Sequence, residues 1–123
     1  MHVNMRILLR GKIHRAVVTQ ADPDYIGSIT IDKELLEEAD IWPGEKVLIS
    51  DVDNGARFET YTVEGEAGSG VVCVNGAAAL LVKPGDRIII MAFEITDQPV
   101  QPRIVLVDEH NRKVKTLRAP GPG

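Results

Sequence analysis

The sequence predicts a mainly β fold, a barrel of short strands with little helix. Three observations carry that expectation. Short runs rich in Ile, Val, Leu and Thr recur at close spacing, divided by turn dipeptides such as Asn54-Gly55 and Pro84-Gly85. One short stretch, residues 33–40, carries an apolar stripe at helical spacing. Finally, "PGEKVLI" at residues 43–49 is echoed by "PGDRIII" at residues 84–90, with the same turn, charge order and apolar run. Two readings of the echo stand side by side: convergent turn-then-strand grammar, or a barrel of two pseudo-equivalent halves.

The elements follow in order. "MRILLRGKIHRAVVTQ" (residues 5–20) reads as one long strand, or two joined near Gly11, and "ADPD" is a turn. Next, "DYIGSITID" (residues 24–32) alternates Ile29 and Ile31 with Ser28, Thr30 and Asp32, the period of a half-buried strand. Asp32 suits the N-cap of "KELLEEAD", whose stripe is Leu35, Leu36 and Ala39, and Pro43-Gly44 ends that unit. Asn54-Gly55 predicts a type I′ hairpin between "EKVLISDV" and "ARFETYTV", since that turn needs positive φ at both central residues. "EGEAGSG" reads as a flexible connector, "VVCVN" as a short strand and "GAAALL" as a small-residue turn that enters a helical turn. "KPGD" turns into the strand "RIIIMAFEIT", "DQPVQP" breaks it, and "RIVLVD" is expected to be the last strand. The tail, residues 118–123, is expected to be flexible.

Composition narrows the function classes. The 123 residues, 44% hydrophobic and 26% charged, suit one domain spanning 1–123, with a core modest enough to make oligomerisation useful. A net charge of −4 argues against nucleic acid as a partner, so an anionic ligand would need a local cationic patch. The single cysteine, Cys73, excludes an intrachain disulfide framework and suits a reducing cytoplasm. No long apolar run suggests a membrane partner.

Catalytic motifs are mostly missing. No serine sits in a nucleophile elbow, and "GEAGSG" matches neither a phosphate loop nor a dinucleotide fingerprint. Three histidines and one cysteine, without paired spacing, give no expectation of a metal site. Several candidates remain. Lys12 and His14, two apart on a strand, share a face; so do Arg57, Glu59 and Tyr61, with Phe58, Thr60 and Thr62 on the other. "VNGAAAL" offers the Asn75 side chain followed by Gly76, Ala77 and Ala78, small enough for close approach of a ligand. Each of these also has a bland reading as an exposed strand position or a satisfied polar group.

Together the residues resemble the pyruvoyl-dependent aspartate 1-decarboxylases. "GKIHR" (11–15), "ADPDYIGSITID" (21–32), "NGARFETY" (54–61), "VNGAAA" (74–79) and "PGD" (84–86) carry the similarity in order and spacing, over about residues 5–107. A second pair, Gly68-Ser69, lacks the flanking residues. Leu80 departs from the family, which favours His there.

The resemblance implies a double-psi β-barrel with short helices, a homotetramer with active sites between subunits, and self-cleavage between Gly27 and Ser28. The Ser28 hydroxyl would attack the Gly27 carbonyl to give an ester. Elimination would then free the Gly27 carboxylate and leave dehydroalanine, which hydrolyses to a pyruvoyl group and ammonia. The products would be a β chain, 1–27, and an α chain, 28–123, bearing the pyruvoyl cofactor. That group would form a Schiff base with L-aspartate and take up the electrons left as carbon dioxide departs, yielding β-alanine for pantothenate and coenzyme A. By the same resemblance Thr60 assists cleavage and Tyr61 is the proton donor. Arg57, Lys12, Asn75, Gly76, Ala77, Ala78 and Thr60 bind substrate, with His14 and Tyr25 in support. A maturation factor is a further conceivable partner. The alternatives are the same machinery acting on another small acidic amino acid, or an uncleaved non-catalytic β-barrel binding protein. One tension is internal to the reading: Thr60 and Tyr61, adjacent on a strand, should face opposite ways. Both serve one site only if the strand bends there or the site lies at a seam between subunits.

Overall fold

The computed structural model describes residues 4–118. Among these residues nine strands run in the order β2-β6-β3-β5-β4-β7-β1-β8-β9. They are β1 (Arg6–Val17), β2 (Gln20–Asp22), β3 (Ser28–Asp32), β4 (Lys46–Asp51), β5 (Arg57–Gly65), β6 (Val72–Asn75), β7 (Arg87–Thr96), β8 (Arg103–Val107) and β9 (Lys113–Arg118). The helix α1 (Lys33–Glu38) follows β3, and a 3-10 helix (Gly76–Leu81) follows β6. The sheet curls back on itself, because Thr19, just past β1, donates its N–H to the Val72 carbonyl of β6 at 2.8 Å. Three pairings are parallel, β1 with β8, β2 with β6 and β3 with β5, so the chain crosses between distant strands rather than meandering.

The inner face is β-branched and dry: Ile13, Ile29, Ile31, Ile49, Ile88, Ile90, Val47, Val72, Val74 and Val105 are fully buried. Helix α1 closes one end through Leu35 and Leu36, and Ala39 beyond it is also buried. As the sequence indicated, Asp32 caps this helix, accepting from the Glu34 N–H at 2.8 Å.

The echo is structural. Gly44 and Gly85 both take left-handed φ (+85° and +95°), which glycine reaches without a Cβ penalty. Each donates its N–H to a neighbouring strand, Gly44 to the Thr62 carbonyl (2.7 Å) and Gly85 to the Val18 carbonyl (2.8 Å). The return bonds match too, Thr62 to the Glu45 carbonyl (3.0 Å) and Val18 to the Asp86 carbonyl (2.9 Å). Even the side chains agree: Glu45 accepts from the Trp42 N–H and Asp86 from the Lys83 N–H, both at 3.0 Å. The two halves therefore repeat a turn-and-strand unit.

Four expectations need correction. The β4–β5 connection is not a type I′ turn, because only Gly55 has positive φ (+76°). The Asp51 carboxylate bonds the N–H groups of Asp53 (2.8 Å) and Asn54 (3.2 Å), and this side-chain competition builds a longer loop. The glycine-rich stretch 65–70 is no loose connector. Gly68 and Gly70 donate to the two Asp32 carboxylate oxygens (3.0 and 2.8 Å), and Arg112 and Asn111 bond the Gly68 and Gly70 carbonyls. Strand β8 is not the last: β9 pairs antiparallel with it, and Arg118, assigned to the tail, closes that strand. The remainder of the tail lies outside the described residues. Strand β9 escaped detection because Val114 and Leu117 are its only large apolar residues. It is fastened instead by Thr116 and Lys113, which bond the Glu38 carboxylate at 2.8 and 3.2 Å and hold that acid below its usual range.

Candidate active site

The β2–β3 connection begins with Asp22, whose carboxylate accepts from the Asp24 N–H at 3.1 Å. The chain then bulges outward, leaving the Tyr25 and Ile26 side chains exposed, and turns back at Gly27 to begin β3 with Ser28. Ser28 is only 2% exposed, an unusual burial for a hydroxyl at a strand start. Its hydroxyl donates to the Ile26 carbonyl (3.2 Å) and accepts from the Asn75 side-chain amide (3.1 Å). Asn75 is the register partner of Ser28 across the β3–β6 pair and also donates to Thr30 Oγ1 at 3.2 Å. Its remaining amide oxygen accepts from Cys73 Sγ at 3.2 Å. Burial, and then the Asp22 carboxylate, push the Cys73 thiol up, so it keeps its proton.

Gly76 follows with φ of +77° and lies against residues 25–27. A Cβ there would fall 2.5 Å from Gly27 Cα and 2.9 Å from Gly27 N. The close approach expected of a ligand at "VNGAAA" is thus made by the chain's own Gly27. Ala77 is exposed, and Ala78 packs against the core from the 3-10 helix. Leu80, at the position that departs from the family pattern, is exposed.

Strand β5 arrives beside β3 in parallel, with Ile29 opposite Thr62. Continuing that register backwards sets Tyr61 and Thr60 level with Ser28 and Gly27. The β4–β5 ladder runs without a register shift from Lys46↔Tyr61 to Ser50↔Arg57, so the strand shows no bulge at these residues. Thr60 is accordingly half-buried while the Tyr61 ring faces outward. Arg57 shares the outer face of Tyr61, roughly 13 Å further back along the strand.

Lys12 and His14 share a half-buried face of β1 on either side of the fully buried Ile13. Burial, then the Lys12 and Arg15 charges, push the His14 imidazole below its ordinary value, so it is neutral at pH 7. Among the described residues the Ser28 hydroxyl bonds the Ile26 carbonyl and Asn75, and no hydrogen bond links it to Lys12, His14 or Arg57. Within one chain the fold therefore brings together Gly27, Ser28, Asn75 and Gly76, with Thr60 and Tyr61 alongside. Tyr25 reaches the site with its backbone, whose carbonyl lies by Gly76, and not with its ring.

The family model described as aspartate decarboxylase matches residues 4–114. The chain belongs to the aspartate decarboxylase family. Among its members, an aspartate 1-decarboxylase of Moorella thermoacetica is 52% identical over 122 residues, covering 96% of this chain and 95% of that protein. One of Myxococcus xanthus is 54% identical over 123 residues, with 95% of each chain covered. A rationally designed double-psi β-barrel aligns with a TM-score of 0.51 at 22% identity, over 70% of this chain and 95% of its own. The fold is the double-psi β-barrel that the family resemblance implied.

Two groups were not legible in advance. As a lone cysteine Cys73 speaks only to the redox compartment, and its spacing two residues before Asn75 on a strand is the signal that pairs them. The other is the set Asp51, Asp53 and Asp86, whose carboxylates lie within 4.8 Å of one another among the described residues. Burial and the facing Asp86 carboxyl raise Asp51, whereas Asp51 holds Asp86 low. Asp51 Oδ2 is buried with no hydrogen-bond partner, and the two carboxyls face each other between the β4–β5 loop and the start of β7, Asp51 shifted toward its protonated form and Asp86 toward its charged one.

Proposed function

We propose that this chain cuts itself between Gly27 and Ser28 and then decarboxylates L-aspartate to β-alanine and carbon dioxide, supplying pantothenate synthesis in the cytoplasm. Membership of the aspartate decarboxylase family supports the reaction. The observation that carries the self-cleavage is the buried Ser28 hydroxyl, held by Asn75 directly beside a backbone junction that Gly76 packs against.

Cleavage needs a serine oxygen near a carbonyl and donors for the charge that develops on it. Ser28 Oγ is fixed on both sides by hydrogen bonds, and Thr60, level with Gly27 on the neighbouring strand, would be the donor to the Gly27 carbonyl. The residues present fit a pyruvoyl group at position 28. Burial would shield its carbonyl from water, and Asn75, Thr30 and Gly76 would line it. When formed, that group supplies an electron sink for the bond broken in decarboxylation. The other tasks belong to side chains. Arg57 would hold a substrate carboxylate bidentately, Lys12 would add a second cation in an otherwise acidic protein, and Tyr61 would return a proton to the α-carbon.

The strand geometry bears on assembly. Strand β5 has no bulge at residues 60–61, so Thr60 and Tyr61 serve one site only if that site lies at a seam where another copy covers the outer face of β5. A homotetramer with sites between subunits meets this need and gives Arg57 and Lys12 a route to Ser28 from a neighbouring copy. A maturation factor would act on the exposed loop around Tyr25 and Ile26.

Intact-mass measurement tests the reading. Purified protein is expected to split after Gly27, the larger chain blocked at its N-terminus by a carbonyl that borohydride reduces, and to release carbon dioxide from aspartate much faster than from glutamate. A Ser28→Ala variant stays whole and inactive. A single unbroken chain after prolonged warming would overturn the proposal.

A further inference from the structure

Asn75 is the contact between Ser28 and the rest of β6, and its side chain has two nearly isosteric orientations. The hydroxyls of Ser28 and Thr30 do not choose between them unaided, since a hydroxyl both donates and accepts. Two neighbouring groups make the choice. The Ser28 proton is already given to the Ile26 carbonyl (3.2 Å), so its oxygen is left to accept. On the far side, Cys73 Sγ stands 3.2 Å from the amide oxygen, and its buried, protonated thiol has a hydrogen to give.

We propose that Cys73 is a positioning residue for self-cleavage: its S–H turns the Asn75 amide so that the nitrogen faces Ser28 Oγ. The chain of donors then runs one way, from Cys73 to Asn75 (3.2 Å), from Asn75 to Ser28 (3.1 Å) and from Ser28 to the Ile26 carbonyl (3.2 Å). Asn75 Nδ2 keeps its second hydrogen for Thr30 Oγ1 (3.2 Å), so the amide is fully used in this orientation. In the opposite one, Nδ2 would meet a thiol that is a weak acceptor, and the amide oxygen would face a Ser28 hydroxyl whose proton is committed elsewhere. The β sheet supplies the geometry, because Cys73 and Asn75, two apart on β6, point the same way, and Cys73 is the register partner of Thr30.

This inference rests on the self-cleavage proposed above, and its test separates the two. The measurement is the first-order rate at which the 27-residue fragment appears, followed by intact mass, beside the melting temperature of each variant in a Ser28→Ala background. Cys73→Ser retains a donor and is expected to cut within about threefold of the parent. Cys73→Val retains volume but gives no hydrogen and is expected to cut at least ten times more slowly, with little change in melting temperature. Cys73→Ala, which lacks the donor and cannot overpack, must be slowed as well. A parent that cuts while Cys73→Val or Cys73→Ala matches its rate overturns the positioning role and leaves the function intact. Equal slowing of Cys73→Ser and Cys73→Val would also overturn it, since packing rather than the proton would then set the rate. A parent that never cuts overturns both.

Discussion

Gly76 lies so close to Gly27 that a single added carbon would sit 2.5 Å from the Gly27 Cα, although the two glycines are 49 positions apart in the sequence. Neither β2 nor β3 alone holds residues 25–27; the left-handed start of the 3-10 helix presses against them. Gly76→Ala is therefore expected to act twice. The positive φ costs about 1–2 kcal/mol in a non-glycine residue, and the new methyl displaces Gly27. Fragment release should fall below a tenth of the parent rate, and denaturant unfolding should show a loss of at least about 2 kcal/mol.

Tyr61 stands level with Ser28 on the neighbouring strand but faces outward. Cleavage should not need it, whereas proton return to the substrate should. Tyr61→Phe is expected to cut at the parent rate and lose about 100-fold or more in kcat, measured as carbon dioxide release by fully processed protein. A fast Tyr61→Phe enzyme would remove this residue as the donor.

The Asp51–Asp86 pair predicts a pH dependence. Asp51 has a folded value above its unfolded one, so ionising it withdraws stability as pH rises from about 4 through that raised value. Asp86 is shifted the other way; its contribution is present above the unfolded value and is lost as pH falls through the lowered one. Asp51→Asn would donate to Asp86 without a titrating proton and still accept from Asp53 and Asn54. The variant should be at least as stable as the parent at pH 7–8, with the difference closing toward pH 4. Melting temperatures across that range check it.

Asp32 performs two tasks with one buried carboxylate, capping α1 and tethering the 65–70 loop through Gly68 and Gly70. Asp32→Ala leaves three N–H groups without their acceptor. A loss of about 2–4 kcal/mol in urea unfolding is expected, together with faster proteolysis within that loop.

The sequence by itself determined the strand runs, the cap at Asp32 and the two matching proline-glycine turns. These depend on short-range chemistry: alternation of apolar residues, a carboxylate beside free N–H groups, and glycine where φ is positive. It also singled out Gly27-Ser28, through flanking residues whose order and spacing matched a family. The tertiary structure decided what those signals could not. Strand β9 has too little apolar content to announce itself and is held by β8 and Glu38. The glycine-rich stretch reads as loose until a carboxylate from another element binds its N–H groups. The Asn54-Gly55 turn yielded to the Asp51 side chain. At the site, Ser28, Asn75, Gly76 and Cys73 meet because β3 lies against β6, a pairing across more than 40 residues that no local pattern encodes. That Thr60 and Tyr61 face opposite ways was legible from strand alternation, but only the fold showed that Tyr61 is on the outer face and that no bulge turns it toward Thr60.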